Sequence, residues 1–247
     1  MKVLAAALAA LAFAVTLFQP VPAEAARPLR ICTANIQHTP DLPDWKVRAD
    51  ARESRAHCDV VLYQEIRERA DHRALQAEGW KTTGYRKVGG VPIAWRTSRL
   101  THVTHSRLIR VSDPTPRCAS GRPSYNPARY ITVITLKVRG SSKRFSPVSL
   151  HFPQRGRHTC YPAITDRRWR QAYVNTKKSL PAGAVVVGGD WNRRESEIRP
   201  MVRWHWITDG PRSLDHVAVA RSGFKVIRKF SRDLHGDHRL RGAVVTY

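Results

Sequence analysis

Apolar residues fall along this chain in short blocks, with polar residues at the ends of the blocks. Leu29 to Ile36 (LRICTANI) reads as a strand, and Asp59 to Ile66 (DVVLYQEI) as another. Val91–Trp95, the alternating stretch 101–111, Arg129–Val138 and Pro147–His151 continue the series. Ala184–Gly189, Leu214–Val219, Phe224–Phe230 and Ala243–Thr246 complete it. Runs rich in Val, Ile, Thr and aromatics, bounded by turn residues, are the signature of strands. The spacing predicts helices over 44–57, over 69–78 (ended by Gly79) and over 164–180, with a helical turn near 195–203. In the third helix Trp169, Ala172, Tyr173, Thr176 and Leu180 recur at i, i+3, i+4, i+7 and i+11, which makes one face. Residues 112–127 hold four prolines, Gly121 and Cys118, and predict a long loop. Strands outnumber helices, and helices come between pairs of strands rather than after each one. That order predicts two β-sheets packed face to face with helices outside. With no internal repeat and no linker, residues 26–247 are expected to form a single domain.

The first residues change the picture. Lys2 precedes an apolar run, Val3 to Phe18, broken by Pro20 and Pro22 and followed by Ala23-Glu24-Ala25. The run is shorter than the roughly 20 residues that span a bilayer. Residues 1–25 therefore read as a cleaved secretory signal, with a retained anchor as the alternative. The mature chain is expected to be extracellular, monomeric and without a transmembrane segment. Four cysteines, Cys32, Cys58, Cys118 and Cys160, allow three pairings in an exported chain. Cys32 and Cys58 lie near strand starts and Cys118 and Cys160 in Pro- and Arg-rich loops, so Cys32–Cys58 and Cys118–Cys160 are the expected bridges. Four unpaired thiols are the alternative. Charge points to a partner: 43 Lys and Arg oppose 19 Asp and Glu, for +24. Such a field attracts polyanions, nucleic acid first and anionic lipid second. A merely solvated basic surface is the bland reading. The segments RRWR (167–170) and KVIRKF (225–230) interleave basic and aromatic residues, and simple amphipathicity would also produce them.

Asn35, Gln64, Glu65, His151, Asp190, Asn192, Asp215, His216, Asp237 and His238 all stand beside apolar runs. Each alone would be a turn or solvated residue. Together, TANIQ, VVLYQEI, VSLHF, VVVGGDWN, SLDHVAV and GDHRLRGAVV resemble, in order, the motifs of the endonuclease/exonuclease/phosphatase family. The resemblance runs from Ile31 to Val245. Two positions depart from the family pattern: Gly236 stands where Ser is usual, and His216 where Tyr or Trp is common.

The resemblance implies an α+β fold, a four-layer α/β/β/α sandwich of two mostly antiparallel sheets flanked by helices. It implies a phosphoester hydrolase using Mg²⁺, with Mn²⁺ as a substitute. Glu65 is then the first metal ligand, with Asn35 and Asp237 as further ligands, direct or through water. His238 is the general base, Asp215 orients it, and Asp190 positions the water or assists proton transfer. His151 donates to the phosphate. Asn192 binds the phosphate or holds Asp190, and Arg129 contacts the phosphate. A Gly188-Gly189 turn is expected to bend the backbone, leaving Asp190 and Asn192 on an extended segment that points both at one phosphate. Zinc held by His151, His216, His235 and His238 is the other metal reading, but their spacing lacks a zinc pattern and the carboxylates favour magnesium. His216 and His235 are expected to be ordinary loop residues. Nucleic acid, DNA and perhaps RNA, is the expected substrate. The alternatives are a sphingomyelinase-like lipid phosphodiesterase, a small-molecule phosphatase, and an inert basic binding protein. No loop clusters the apolar residues that a membrane-inserting lipid enzyme needs.

Overall fold

The computed structural model describes residues 27–36, 43–86, 88–115, 127–154, 162–208, 210, 212–221 and 223–247. The first sheet is built from β1 (Leu29–Asn35), β2 (Val60–Gln64), β3 (Trp80–Thr82), β4 (Ile93–Arg96), β13 (Lys225–Asp233) and β14 (Arg239–Thr246), in the order β13-β14-β1-β2-β4-β3. The second contains β5 (Leu100–His102), β6 (Arg107–Ser112), β7 (Arg129–Val133), β8 (Leu136–Val138), β9 (Arg144–His151), β10 (Ala184–Asp190), β11 (His205–Trp206) and β12 (Asp215–Arg221). Its order is β11-β12-β10-β9-β7-β6, with β8 pairing β5 and β9. Among the described residues β1–β2 and β9–β10 are parallel, and the other pairings are antiparallel.

The period of two along each strand sorts side chains into layers. Leu29, Ile31, Val60, Leu62, Val186 and Val217 meet between the sheets. Ala34, Val61 and Tyr63 face the other way, onto Val47 and Ala51 of α1 (Asp44–His57). Val185, Val187 and Ala218 face Trp169 and Ala172 of α3 (Pro162–Ser179). Two short helices, α2 (Arg69–Ala74) and α4 (Glu195–Ile198), complete the set. Central strands are thus covered on both faces, which is why VVLYQ and AVVVGGD read as unbroken apolar runs, buried at every position. Each such Val or Leu contributes about 1.5–3 kcal/mol.

The predicted strands over 101–111 and 129–138 are each split. The stretch 103–106, which holds Thr104, His105 and Ser106, and residues 134–135 interrupt one antiparallel ladder, leaving β5–β8 and β6–β7. Strands β3 and β11 have three and two residues, too short for a periodic signal. Cys32 and Cys58 form the expected disulfide, tying β1 to the end of α1. Cys118 and Cys160 lie outside the described residues. No described helix is long and apolar enough to cross a membrane.

Candidate active site

Strand direction gathers the polar ends. Parallel pairing sets Asn35 at the end of β1 beside Gln64 at the end of β2, with Glu65 next. Parallel pairing likewise sets His151 at the end of β9 beside Asp190 at the end of β10. β12 runs antiparallel to β10, so its first residue, Asp215, lies opposite Asp190. β14 runs antiparallel to β1, so the turn before it delivers Asp237 and His238 to the same end. Residues spread over two hundred positions of sequence therefore meet at one rim of both sheets.

Asn35 Nδ2 lies at the centre. It donates to Asp190 Oδ2 at 3.2 Å and to Glu65 Oε1 at 3.5 Å, and lies 3.4 Å from His238 Nε2. His238 Nδ1 is 2.7 Å from Asp215 Oδ2. His151 Nε2 is 3.5 Å from Asp190 Oδ2 and 4.0 Å from Glu65 Oε1. Asp237 stands at the rim, 69% exposed, with Oδ1 3.4 Å from His238 Nε2. Arg129, half-buried at the start of β7, feels the charges of Asp190 and Glu65, and its Nε is buried with no hydrogen-bond partner among the described residues. Arg129, Tyr130, Pro127, Val88 and Arg67 line a cleft of about 540 Å³ that opens beside Glu65 and His151.

Glu65 (φ 62°) and Asn192 (φ 51°) are the non-glycine residues with left-handed backbone among those described. Such conformations cost about 1–3 kcal/mol and concentrate at functional sites. The twist at Glu65 sets its Oε1 toward Asn35, while Arg67, largely exposed, holds Oε2 at 3.2 Å. Asn192 departs from the extended geometry expected of the Asp190–Asn192 segment. Its left-handed backbone makes a turn in which its own N–H donates to Asp190 Oδ1 at 2.8 Å, while its Nδ2 donates to Phe152 O at 2.9 Å. Asn192 thus orients Asp190 through the backbone.

The glycine pair does not turn either. Gly188 and Gly189 lie inside β10, paired to β9 and β12. A Cβ on Gly188 would sit 2.6 Å from Leu62 Cδ1, and one on Gly189 would sit 1.9 Å from Leu150 O. Glycine is required here so that the two sheets and the neighbouring strand can close on the floor of the site.

Electrostatics separates the histidines. Burial disfavours the His238 cation, but the hydrogen bond and charge of Asp215, aided by Asp190 and Asp237, outweigh it and raise the pKa to about 10. Burial and the nearby Asp215 charge push Asp190 up to about 7, against the stabilising His238 and Asn192 N–H. Burial, with Arg129, Arg67 and His238 close by, holds His151 well below its ordinary value. His151 is therefore neutral at neutral pH. Burial lowers Arg129 to about 10, which leaves it charged at neutral pH.

His216 is not a loop residue, and His235, which does lie in the turn before β14, is anchored rather than solvated. His216 is buried inside β12, with Nε2 3.2 Å from Arg193 O and its ring against Trp206. Asp50 of α1, 1% exposed, binds both the backbone N–H and Nδ1 of His235 at 2.9 and 2.7 Å, fixing the turn that carries Asp237 and His238. Sequence reasoning missed Asp50, although an acid on the apolar face of α1 (Val47, Asp50, Ala51, Ser54) is a visible signal. It also missed Arg193, buried, which joins Asp166 at 2.7 Å and Asn192 O at 2.8 Å and pins the Asp190–Asn192 turn to α3. Gln64 is structural: it accepts from Thr33 Oγ1 at 2.9 Å and donates to Ser149 Oγ at 3.3 Å, crossing between the sheets under the site.

The donor set fits a hard divalent cation. Glu65, Asp190 and Asp215 offer carboxylate oxygen beside the Asn35 carboxamide, and Asp215 Oδ1 is buried with no hydrogen-bond partner among the described residues. Ligand atoms of Asp190, Asp215 and His238 also lie within 4.8 Å of one another.

Residues 32–238 match the model of the Endonuclease/Exonuclease/phosphatase family, and the chain belongs to that family. Its members hydrolyse phosphoesters and are typically dependent on a divalent metal. No curated protein matches the sequence. Solved structures share the fold at low identity. A family member from Bacteroides vulgatus is 16% identical with a TM-score of 0.68, covering 89% of this chain and 98% of its own. The Bacteroides thetaiotaomicron mannosyl-6-phosphatase Bt3783 is 14% identical with a TM-score of 0.60, covering 89% and 100%. D. rerio TDP2, complexed with a single-strand DNA product, is 15% identical with a TM-score of 0.62, covering 89% and 99%.

Proposed function

We propose that this chain is a secreted, Mg²⁺-dependent phosphodiesterase that hydrolyses nucleic acid, most simply as an endonuclease on DNA. The observation that carries the reading is the Asn35–Glu65–Asp190–His238–Asp215 cluster, where both sheets present their polar strand ends at one rim. Glu65 and Asn35 would hold the cation, with the exposed Asp237 reaching it through water. Bound there, the cation would withdraw charge from a phosphoryl oxygen and, as a neighbouring positive charge, favour the neutral form of His238.

The chain's own groups supply the rest. Asp215 fixes the Nδ1 side of His238, so Nε2 is the atom that takes the proton of the attacking water, and Asp215 then supports the imidazolium. Asp190, held by the Asn192 N–H, orients that water. His151 and Arg129 donate to the phosphate from the β9 and β7 side. Polynucleotide is favoured over smaller esters by the +24 charge, since each phosphate contact adds to affinity along a polyanion. The solved TDP2 complex with single-strand DNA lends the fold-level precedent. Export rests on the apolar run Val3–Phe18 and the Ala23-Glu24-Ala25 site.

The test is the purified chain with Mg²⁺ or Mn²⁺ on supercoiled plasmid, linear DNA, RNA, sphingomyelin and a phosphate-releasing ester. Plasmid nicking that EDTA abolishes and Mg²⁺ restores is expected. Full activity in EDTA would remove the metal mechanism. Sphingomyelin turned over far faster than any polynucleotide would replace the substrate reading.

A further inference from the structure

Among the described residues, strand β13 is the edge of the first sheet and pairs only with β14. Of its nine residues, Lys225, Arg228 and Arg232 are exposed cations that lie opposite Thr246, Val244 and Leu240 and so share one face, while Lys229, opposite Ala243, stands on the other. Among the described residues no carboxylate pairs with Lys225, Arg228 or Arg232, whereas Arg30, Arg96, Arg110, Arg168, Arg193 and Arg199 all lie on acids. The strand's own acid, Asp233, is engaged by Arg239 at 3.0 Å. Phe230 stands half-buried between the cations, with the Arg228 guanidinium 6.0 Å from its ring centre.

Position gives this stripe its meaning. β13 ends at Asp233, and the next five residues are the turn that carries Asp237 and His238. At about 3.4 Å per residue the strand is roughly 30 Å long. A duplex presents a phosphate about every 3.4 Å along each strand. The basic edge is therefore a track, long enough to span several phosphates, that leads to the catalytic rim. RRWR offers no equivalent, because Trp169 is buried in the core and Arg168 is paired with Asp113.

We infer that the β13 edge is a second nucleic-acid contact surface, which binds the phosphate backbone outside the active site and leads the polymer into it. The inference rests on the nucleic-acid reading above. A membrane is disfavoured as the occupant: exposed large apolar residues are scattered (Trp45, Val88, Val103, Val174, Met201, Ile227), and only Ile227 lies on this strand. A surface that docks on lipid adds a cluster of buried apolar groups to its charge.

The test compares wild type with the variant Lys225→Gln, Arg228→Gln, Arg232→Gln. A second variant replaces four exposed cations of α3: Arg167→Gln, Arg170→Gln, Lys177→Gln, Lys178→Gln. Duplex binding is measured in EDTA as a function of salt, and turnover of bis(p-nitrophenyl) phosphate is measured in Mg²⁺. Loss of three phosphate contacts should make the slope of log K on log salt shallower by about 3, at about −0.9 per contact. The β13 variant should show that change and at least about tenfold weaker binding at 0.1 M salt, with small-diester turnover within twofold of wild type. The α3 variant should keep most of the slope. Equal slopes for wild type and the β13 variant would overturn the inference, as would equal losses in both variants, which would mean a diffuse field. A variant that loses adhesion to phosphatidylserine vesicles while holding DNA unchanged would assign the edge to membranes and overturn it too. Wild type that neither binds nor cuts polynucleotide would instead sink the nucleic-acid reading itself. Unchanged small-diester turnover shows that the β13 variant has folded. The charge-keeping variant Lys225→Arg, Arg228→Lys, Arg232→Lys should retain the wild-type slope.

Discussion

Without a bound cation, His238 is an imidazolium at neutral pH and Asp190 sits near its own midpoint. Both folded-state values lie above the ordinary ones, so the sign is the same for each. His238 contributes stability that is complete below about 6.5 and lost as pH rises toward about 10. Asp190 opposes folding increasingly as pH rises from 3.8 through about 7. In EDTA, urea denaturation should therefore show lower stability at pH 9 than at pH 6, and the His238 ring resonances should not titrate near pH 6.5. A resonance with an ordinary midpoint would disprove the Asp215 coupling. For chemistry, His238→Ala should lower kcat at least about 100-fold, the smaller end of general-base contributions. Asp215→Asn should be comparably severe, because it leaves the ring misoriented. Both variants should bind DNA in EDTA almost as wild type does. Retention of most nuclease activity by His238→Ala would move the base to Asp190.

The site's floor is an element-scale device. Gly189 faces the Leu150 carbonyl of β9, whereas Gly188 faces the end of the Leu62 side chain. A carbonyl held in a sheet cannot move, but a leucine methyl can. Gly189→Ala should therefore unfold the protein or cost more than the about 1–3 kcal/mol typical of overpacking, with Gly188→Ala the milder change. Urea midpoints of the two variants check the order. The strands and helices that were legible in the sequence are those with a full period of burial. The 44–57 helix appears with the expected bounds, and β1, β2 and β10 within a residue or two. β3 and β11 were not legible, since two or three residues carry no period and exist only because a longer strand lies beside them. The Gly188-Gly189 turn was misread because glycine serves bends and close packing alike.

On the scale of the whole molecule, the disulfide and the charge act at different distances. Cys32–Cys58 closes a loop of 26 residues between β1 and the end of α1. Replacing both cysteines by alanine should cost about 2–4 kcal/mol, read from denaturation under non-reducing conditions. No change would mean that the burial of Cys32 and Cys58 in the α1 layer already fixes the pair. The excess charge is not spread evenly in its effect: many arginines lie on carboxylates, and the β13 edge is where a basic stripe faces solvent.

The sequence by itself determined which residue types were available: apolar blocks with polar ends, in an order that matches one family, and a strongly positive balance. It also sufficed for two facing sheets, because residues buried on both faces leave continuous apolar runs. Only the tertiary structure decided how the polar ends are used. Asn35, Glu65, Asp190 and His238 become neighbours through strand direction, a property of pairing between segments far apart in the chain. The same folding buries His216, sets the Asn192 N–H on Asp190, and gives His235 to Asp50. Side-chain chemistry is local and can be read one residue at a time. Burial, charge state and partner depend on what folds against that residue.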